Sequence, residues 1–552
     1  MTANNQSEPR SVPQTEAELV VVLSLEGAAA RSSEVGVAEL LAEQGATLKP
    51  IFSNIVSDNV ARSTSSDGGS GDLSNWFHVL GSQSELEPMA EKLRDRADVE
   101  AAYVKPPAEP AVVLVEPSTP AIDRKPEMQG KDAEPAAPNY SSRQGYLGPA
   151  PVGIDAPYAW THSGGKGDGI KVIDCEWGWQ FNHTDLQQNN LGLVAGTNGS
   201  STHHGTAVMG EIGGDHNGYG VNGIAPNAKL GASSVNGQGT AGAIVAAAQN
   251  LQAGDLLLIE MHRRGPNGGG GGQQGFIAME WWPDDFAAIR FAVGRGVIVV
   301  EAAGNGWEDL DDPAYDTPGS GFPASWKNPF RLTNPGSGAV MVGAGSPPAG
   351  THGRNTSPWN LPYVDRARCG FSNWGSRVDA QGWGWEVTTT GYGDLYNSGG
   401  ITELYTDTFS GTSSASPIVT GALASTQGVL KAANMPLMDS ERARQLLRQT
   451  GSPQQAASGR PVSQRIGNRP DLSELVPAAL TQEVDVEVLH TFAVHSSKNA
   501  WAYLKDFGWR RIKADHAEGV HNILDACVDA QIAGKTMRAR IDQSILHWAW
   551  IV

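Results

Sequence analysis

Four short apolar runs constrain this chain more than any other feature: GIKVIDC, GDLLLIEM, GVIVVEAA and AVMVGAG. Each is apolar at consecutive rather than alternate positions, so a strand built from it must be covered on both faces. Stretches of helical period lie among and after them, at 241–251, 285–293 and 439–449. The last has Asp439 or Ser440 to cap its start and Gly451 just past its end. Strands and helices in alternation imply an α/β fold with a doubly wound, mostly parallel sheet, here spanning residues 144–475.

The flanks read differently. Residues 1–17 carry no pattern and are expected to be disordered. From residue 18 to 105 the runs LVVVLSL, VAELLAEQ, LKPIF, WFHVLG, ELEPMAEKLRDRAD and VEAAYV give strand, helix, strand, strand, helix, strand, with a Ser/Gly/Asp loop at 63–72. That order is a small α+β unit of ferredoxin-like type. Residues 106–143 hold eight prolines between Pro106 and Pro138 and read as an extended linker. Residues 482–552 form a compact α+β module of unassigned role, either a stabilising appendage or a surface for a partner or cell-wall material.

Charge excludes some functions. With 59 acidic and 40 basic residues the formal charge is −19, which disfavours phosphate backbones and anionic lipid, so neither nucleic acid nor membrane is an expected partner. No apolar run approaches the ~20 residues of a membrane span. Cys175, Cys369 and Cys527 are too few for a disulfide framework and read as buried thiols. The first residues lack a basic region followed by an apolar core. A cytoplasmic chain is the default expectation, with secretion by another route left open.

The chemistry sits in FSGTSSASPIVTGALA, residues 409–424. Apolar Ala415, Ile418, Val419, Ala422 and Leu423 recur at helical spacing, so a buried helix starts near Ser413, and Pro417 is early enough to be tolerated. A hydroxyl there lies beside free backbone N–H groups, and Ser413 is either a helix cap or a nucleophile. A nucleophilic serine needs an imidazole and a carboxylate. KVIDCEWGW puts Asp174 at a strand end, HHGTAVMGEIGG puts His204 at a helix start, and VIVVEAAGNG ends a strand with Asn305.

The order Asp174, His204, Asn305, Ser413 is that of subtilisin. With VIDCEWGWQFNHTDL, GVNGIAPNAKL and GFSNWGSRVDAQG in register, the chain resembles a subtilisin-like serine peptidase. The resemblance implies that Ser413 attacks, His204 takes and returns the proton, Asp174 orients the imidazole, and Asn305 joins the Ser413 N–H in an oxyanion hole. It further implies a monomeric endopeptidase acting on polypeptides without a cofactor. Residues 18–105 would then be a propeptide that inhibits the enzyme, removed by a cut between Lys105 and Gly145. An inactive scaffold that binds protein is the alternative; an esterase of α/β-hydrolase type lacks its G-x-S-x-G elbow.

Departures from the family fall on the substrate side. Glu260, Met261 and His262 replace the usual Ser-Leu-Gly-type segment beside the primary pocket. An acidic Glu260 there suggests basic side chains in the substrate, unless Arg263 or Arg264 satisfies it. Gly268–Gly272 reads as a flexible lip, and Trp281 and Trp282 as packing. Glu308, Asp309, Asp311, Asp312 and Asp316 cluster in one loop, either a structural Ca²⁺ site of the kind many family members have or a solvated acidic loop.

Overall fold

The computed structural model describes residues 15–24, 28–52, 73–113, 137–269, 271–494, 499–514, 517–542 and 544–552. The expected loop at 63–72, most of the expected disordered N-terminus, the centre of the linker and Gly270 of the lip lie outside them. The N-terminal unit contains β1 (Glu18–Leu23), α1 (Ala28–Ala42), β2 (Thr47–Pro50), β3 (Trp76–Leu80), α2 (Leu86–Arg94) and β4 (Val99–Lys105). Its antiparallel sheet has the order β2-β3-β1-β4. After it, β5 (Ala108–Pro110) leaves the unit.

The central unit runs through α3 (Ala156–Trp160), β6 (Lys171–Glu176), β7 (Asn190–Ala195), α4 (His203–Gly213), β8 (Lys229–Ser234), α5 (Gly239–Gln249) and β9 (Leu256–Ile259). It continues with β10 (Met261–Arg264), β11 (Phe276–Ala278), α6 (Pro283–Gly294), β12 (Ile298–Ala302), β13 (Val340–Gly345) and β14 (Ala380–Trp383). Then follow β15 (Val387–Thr390), β16 (Tyr405–Phe409), α7 (Thr412–Ala432), α8 (Ser440–Gln449) and α9 (Leu472–Leu480). Seven strands, β14-β13-β12-β9-β6-β8-β7, pair in parallel as one sheet. Asp439 caps α8 as its position suggests, its side chain accepting from Arg442 N at 2.9 Å.

Alternation along each strand divides the interior in two. Val172, Leu256, Leu258, Ile298 and Val300 share one core with α4 and α7 residues such as Val208, Ile418 and Ala422. Ile173, Cys175, Leu257, Ile259 and Val299 face the other way, toward Ile244 of α5, Ile289 of α6, and Val20, Val22 and Trp76 of the N-terminal sheet. Being buried on both faces is what the consecutive apolar runs demanded. The N-terminal sheet therefore covers α5 and α6 with its own apolar face.

A buried ionic cluster fixes that docking. Lys105 Nζ lies 2.5 Å from Asp284 Oδ2, 3.2 Å from Asp285 Oδ2 and 3.3 Å from Glu18 Oε2, and donates to Thr240 Oγ1 at 3.0 Å. Tyr103 donates to Asp284 Oδ1 at 3.0 Å, and Arg263 reaches Glu18 Oε1 at 3.0 Å. Glu18, His78 and Asp284 have the spacing of a metal site. The Lys105 ammonium already pairs with two of those three groups, Glu18 and Asp284.

The last unit holds β17 (Gln482–Ala493), β18 (Ala500–Leu504), β19 (Gly508–Ile512), α10 (Ala517–Ala533), β20 (Thr536–Ile541) and β21 (Ile545–Ile551). Its strands close into a barrel, β17-β18-β19-β21-β20. It docks just beyond α7, where Asn434 Nδ2 donates to Asp506 O at 3.2 Å and Gln482 Nε2 to Pro436 O at 2.9 Å. Ser413 is at the opposite end of α7, and 21 residues of helix span about 30 Å. The module is thus remote from the candidate site.

Candidate active site

Strand β6 delivers two carboxyl groups to one face. It runs on to Glu176, and residues 174 and 176 share the side that faces α4 and α7. The carboxylate meeting the imidazole is Glu176, whose Oε2 lies 2.7 Å from His204 Nδ1. This corrects the expectation for Asp174, which falls two residues short of the strand end. Its Oδ2 accepts instead from Trp179 Nε1 at 2.7 Å.

Burial and the adjacent Glu176 push the Asp174 carboxyl well above its usual range, and it shares a hydrogen bond with Glu176 that favours Glu176 ionising first. Asp174 is therefore the neutral acid of the pair. Burial raises the Glu176 carboxyl too, but its hydrogen bond with Asp174 offsets part of that rise, so Glu176 is the one of the pair that ionises more readily beside His204. Burial lowers the imidazole to about 3, so in this occupied state it is neutral.

His204 belongs to the first turn of α4, and its ring packs against Phe409 with centroids 5.5 Å apart. Ser413 is the second residue of α7. Gly411, just before, has φ of 103°, and a Cβ there would overlap the Ala111 carbonyl oxygen. His204 Nε2 and Ser413 Oγ are both buried without hydrogen-bond partners.

The cleft over these groups is filled by the chain itself. β5 pairs antiparallel with β10, in the register Met261↔Pro110, His262↔Glu109 and Arg263↔Ala108. β10 pairs on its other side with β11. The Ser413 backbone N–H donates to Ala111 O at 3.1 Å. Gln273 Nε2 donates to Pro110 O at 3.0 Å, and Ser410 Oγ to Val113 O at 2.6 Å. So the expected linker 106–143 begins as an ordered strand. Its other end is also ordered, with Ala137 and Tyr140 packed on Val221 and Tyr405.

Asn305 follows β12 and faces the same place. Its Oδ1 accepts from Thr412 N at 2.9 Å and Thr412 Oγ1 at 3.0 Å, while its Nδ2 donates to Gln273 Oε1 at 3.0 Å. The amide thus points its donor side toward the cleft segment through Gln273. Sequence reasoning missed Gln273, because a glutamine pair after a glycine run carries no pattern.

Of the three substrate-side residues, Met261 and His262 lie in the strand that pairs with β5. His262 is wholly buried, accepts from Asn305 N at Nδ1 (3.2 Å), and has Nε2 3.8 Å from Glu109 Oε1. Glu260 lies beside both Ser416 and Ser413. It continues the Leu256 and Leu258 face beneath α7, where Ser416 Oγ donates to its Oε1 at 2.5 Å. Neither Arg263 nor Arg264 satisfies it: Arg263 binds Glu18, Thr240 and the Pro106 carbonyl. Burial, then Asp174, holds the Glu260 carboxyl well above its usual range, as a neutral acid.

The acidic loop is committed to donors of its own chain. Arg331 pairs with Asp316, Ser376 N and Oγ donate to Asp311, and Tyr315 and Asn267 donate to Glu308. Asp312 caps the turn that follows it. Cys175, Cys369 and Cys527 are free and buried, and Trp281 and Trp282 pack on each other and on Phe322.

A serine at a helix start, an imidazole with a carboxyl group behind it and a strand-lined cleft are thus carried by one parallel α/β sheet and its helices. The subtilase family model matches residues 154–469, more than half the chain, and the chain belongs to the subtilase family of serine peptidases. It is 34% identical over 148 residues to Subtilisin DY of Bacillus licheniformis, covering 26% of this chain and 49% of that one. It is 29% identical over 190 residues to a calcium-dependent protease of Trichormus variabilis, covering 28% of this chain and 26% of that one. The chain thus spans about half the length of the first relative and about a quarter of the second. Among solved structures it is similar to fervidolysin from Fervidobacterium pennivorans (TM-score 0.48, 18% identity, 88% of this chain and 64% of that one). It is also similar to the epidermin leader peptide processing protease of Staphylococcus aureus (TM-score 0.47, 17% identity, 85% and 100%).

Proposed function

We propose that the chain is a serine endopeptidase that works through Ser413, His204 and Glu176. The observation that carries this reading is the Ser413 N–H holding a backbone carbonyl at 3.1 Å while His204 leans on a buried carboxylate at 2.7 Å. Ser413 Oγ adds to the carbonyl carbon of a polypeptide bound against β10 as His204 Nε2 takes the hydroxyl proton. Negative charge develops on the oxygen at the Ser413 N–H, with the Asn305 amide as the second donor once Gln273 releases it. Glu176 stabilises the imidazolium that forms. His204 returns the proton to the leaving amine, and water then releases the acyl group.

The proposal extends to regulation. Residues 18–105 act as an inhibitory domain of a zymogen, supported by the ionic cluster at Lys105 and by the strand that leads from it into the cleft. No cofactor takes part.

The test is turnover of a casein-like polypeptide and labelling by a fluorophosphonate probe, comparing the wild-type chain with Ser413→Ala. Turnover and labelling that vanish in the variant support the reading. Absence of both in the wild-type chain, or equal turnover in the two, would leave a protein-binding scaffold instead.

A further inference from the structure

We propose that Ala111–Val112 is the bond this chain cuts in itself, and that the four residues before it, Ala-Glu-Pro-Ala, display the sequence preference of the cleft. This rests on the endopeptidase reading and deepens it.

The assignment comes from where one carbonyl sits. Among the residues of the cleft segment, the carbonyl on the Ser413 N–H belongs to Ala111, at 3.1 Å. A donor at that distance marks the place where charge appears when a carbonyl is attacked. The nucleophile belongs to the same residue as the donor, so the carbonyl carbon it can reach is that of Ala111.

Both sides of the bond are held. Upstream, Glu109 and Pro110 are in antiparallel register with His262 and Met261, and the Pro110 carbonyl accepts from Gln273 at 3.0 Å. Downstream, the Val113 carbonyl accepts from Ser410 Oγ at 2.6 Å. Hydrogen bonds on either side hold the bond in place beside Ser413, which lowers the entropic cost of attack.

The step balances. Ser413 Oγ bonds to the Ala111 carbonyl carbon and its proton passes to His204 Nε2. The C–N bond to Val112 then breaks as that proton passes to the Val112 nitrogen. Water hydrolyses the resulting ester, freeing an Ala111 carboxylate and restoring the serine hydroxyl.

The same contacts specify a preference. Ala111 and Ala108 are wholly buried, so these two positions take small side chains. Pro110 costs nothing as a strand residue here, since β5 pairs only with β10 and the proline carbonyl still finds a donor. Glu109 faces the Nε2 edge of His262 at 3.8 Å, on a ring whose Nδ1 accepts from Asn305 N, so Nε2 carries the proton. An acidic residue therefore suits the third position before the cut. That is the opposite of the basic preference that Glu260 suggested.

The experiment is intact mass and N-terminal sequencing of the full chain during refolding, taking the first fragments to appear. A fragment ending at Ala111 and one beginning VVLVEPS are expected. Ser413→Ala should remain one chain of 552 residues, and Val112→Pro should slow the cut at least 100-fold. A synthetic peptide AEPAVV, given to the active enzyme, should be cut between Ala and Val, and its AKPAVV counterpart at least tenfold more slowly. Active enzyme whose first fragments end elsewhere would overturn the assignment while leaving the endopeptidase reading intact. A chain that stays whole and is inert toward both casein and the fluorophosphonate would overturn both. Equal cutting of the two peptides would refute the stated preference.

Discussion

Replacing Glu176 by glutamine separates the two carboxyl groups of β6. In the ground state the change is slight, because an amide oxygen still accepts from His204 Nδ1. When His204 takes the serine proton, the wild-type site gains an ion pair at 2.7 Å. At an effective dielectric constant of 20, two unit charges at that separation attract by about 6 kcal/mol, or about four powers of ten in rate. Some of this survives in the amide dipole, so kcat for Glu176→Gln should fall by about 10³ to 10⁴ with little change in KM. Asp174→Asn should behave differently. Asp174 is held neutral by burial and by Glu176, and an asparagine there can still donate to Glu176. Its kcat should stay within about tenfold of wild type, the effect of a second-tier hydrogen bond. The assay is steady-state hydrolysis of a short chromogenic peptide by the processed enzyme, with circular dichroism to establish that each variant folds. If Asp174→Asn were the crippled variant and Glu176→Gln nearly normal, the assignment of charge within the pair would be refuted.

Gly411→Ala places a Cβ on the carbonyl oxygen that Ser413 holds, at a φ of 103° where side chains are strained. Self-cutting and turnover should both drop at least ~10-fold, measured by gel and by peptide hydrolysis. Lys105→Met removes the cation from a buried cluster of Asp284, Asp285 and Glu18, and breaking such a pair costs about 3–5 kcal/mol. After the cut, retention of fragment 1–111 by the rest of the chain should weaken at least 100-fold, read by size-exclusion chromatography. Glu260→Gln replaces a buried group held neutral by a neutral isostere that still accepts from Ser416 Oγ. Turnover should stay within about threefold, whereas Glu260→Ala should lower stability by about 1–3 kcal/mol in urea melts through the stranded Ser416 hydroxyl.

How much of this was legible in the sequence follows from what kind of information each feature uses. The parallel sheet was readable because full burial leaves consecutive apolar letters. The helix at Ser413 was readable because its apolar residues recur with the right period. The β5 strand was not: Ala-Glu-Pro has no period and sits in a proline-rich stretch, and it is a strand only because β10 offers it hydrogen bonds. The cleft occupant therefore could not be seen from local composition, and neither could the bond it presents.

The choice between Asp174 and Glu176 turns on a different point. Both carboxyls are on the same face of β6, because two residues is one strand period. Sequence alone thus puts two acids on the histidine side of the sheet, and a triad by residue type selects the aspartate. Position selects the glutamate, since two residues of strand advance about 6–7 Å toward the cleft at the C-terminal edge, and the longer side chain adds one more methylene. The shorter acid is left behind against Trp179. Two buried carboxyls in contact cannot both ionise cheaply, so one must carry a proton. The outer one, facing an imidazole that becomes cationic during the reaction, is the one whose charge is useful, and the inner one keeps the proton and passes its hydrogen bond outward.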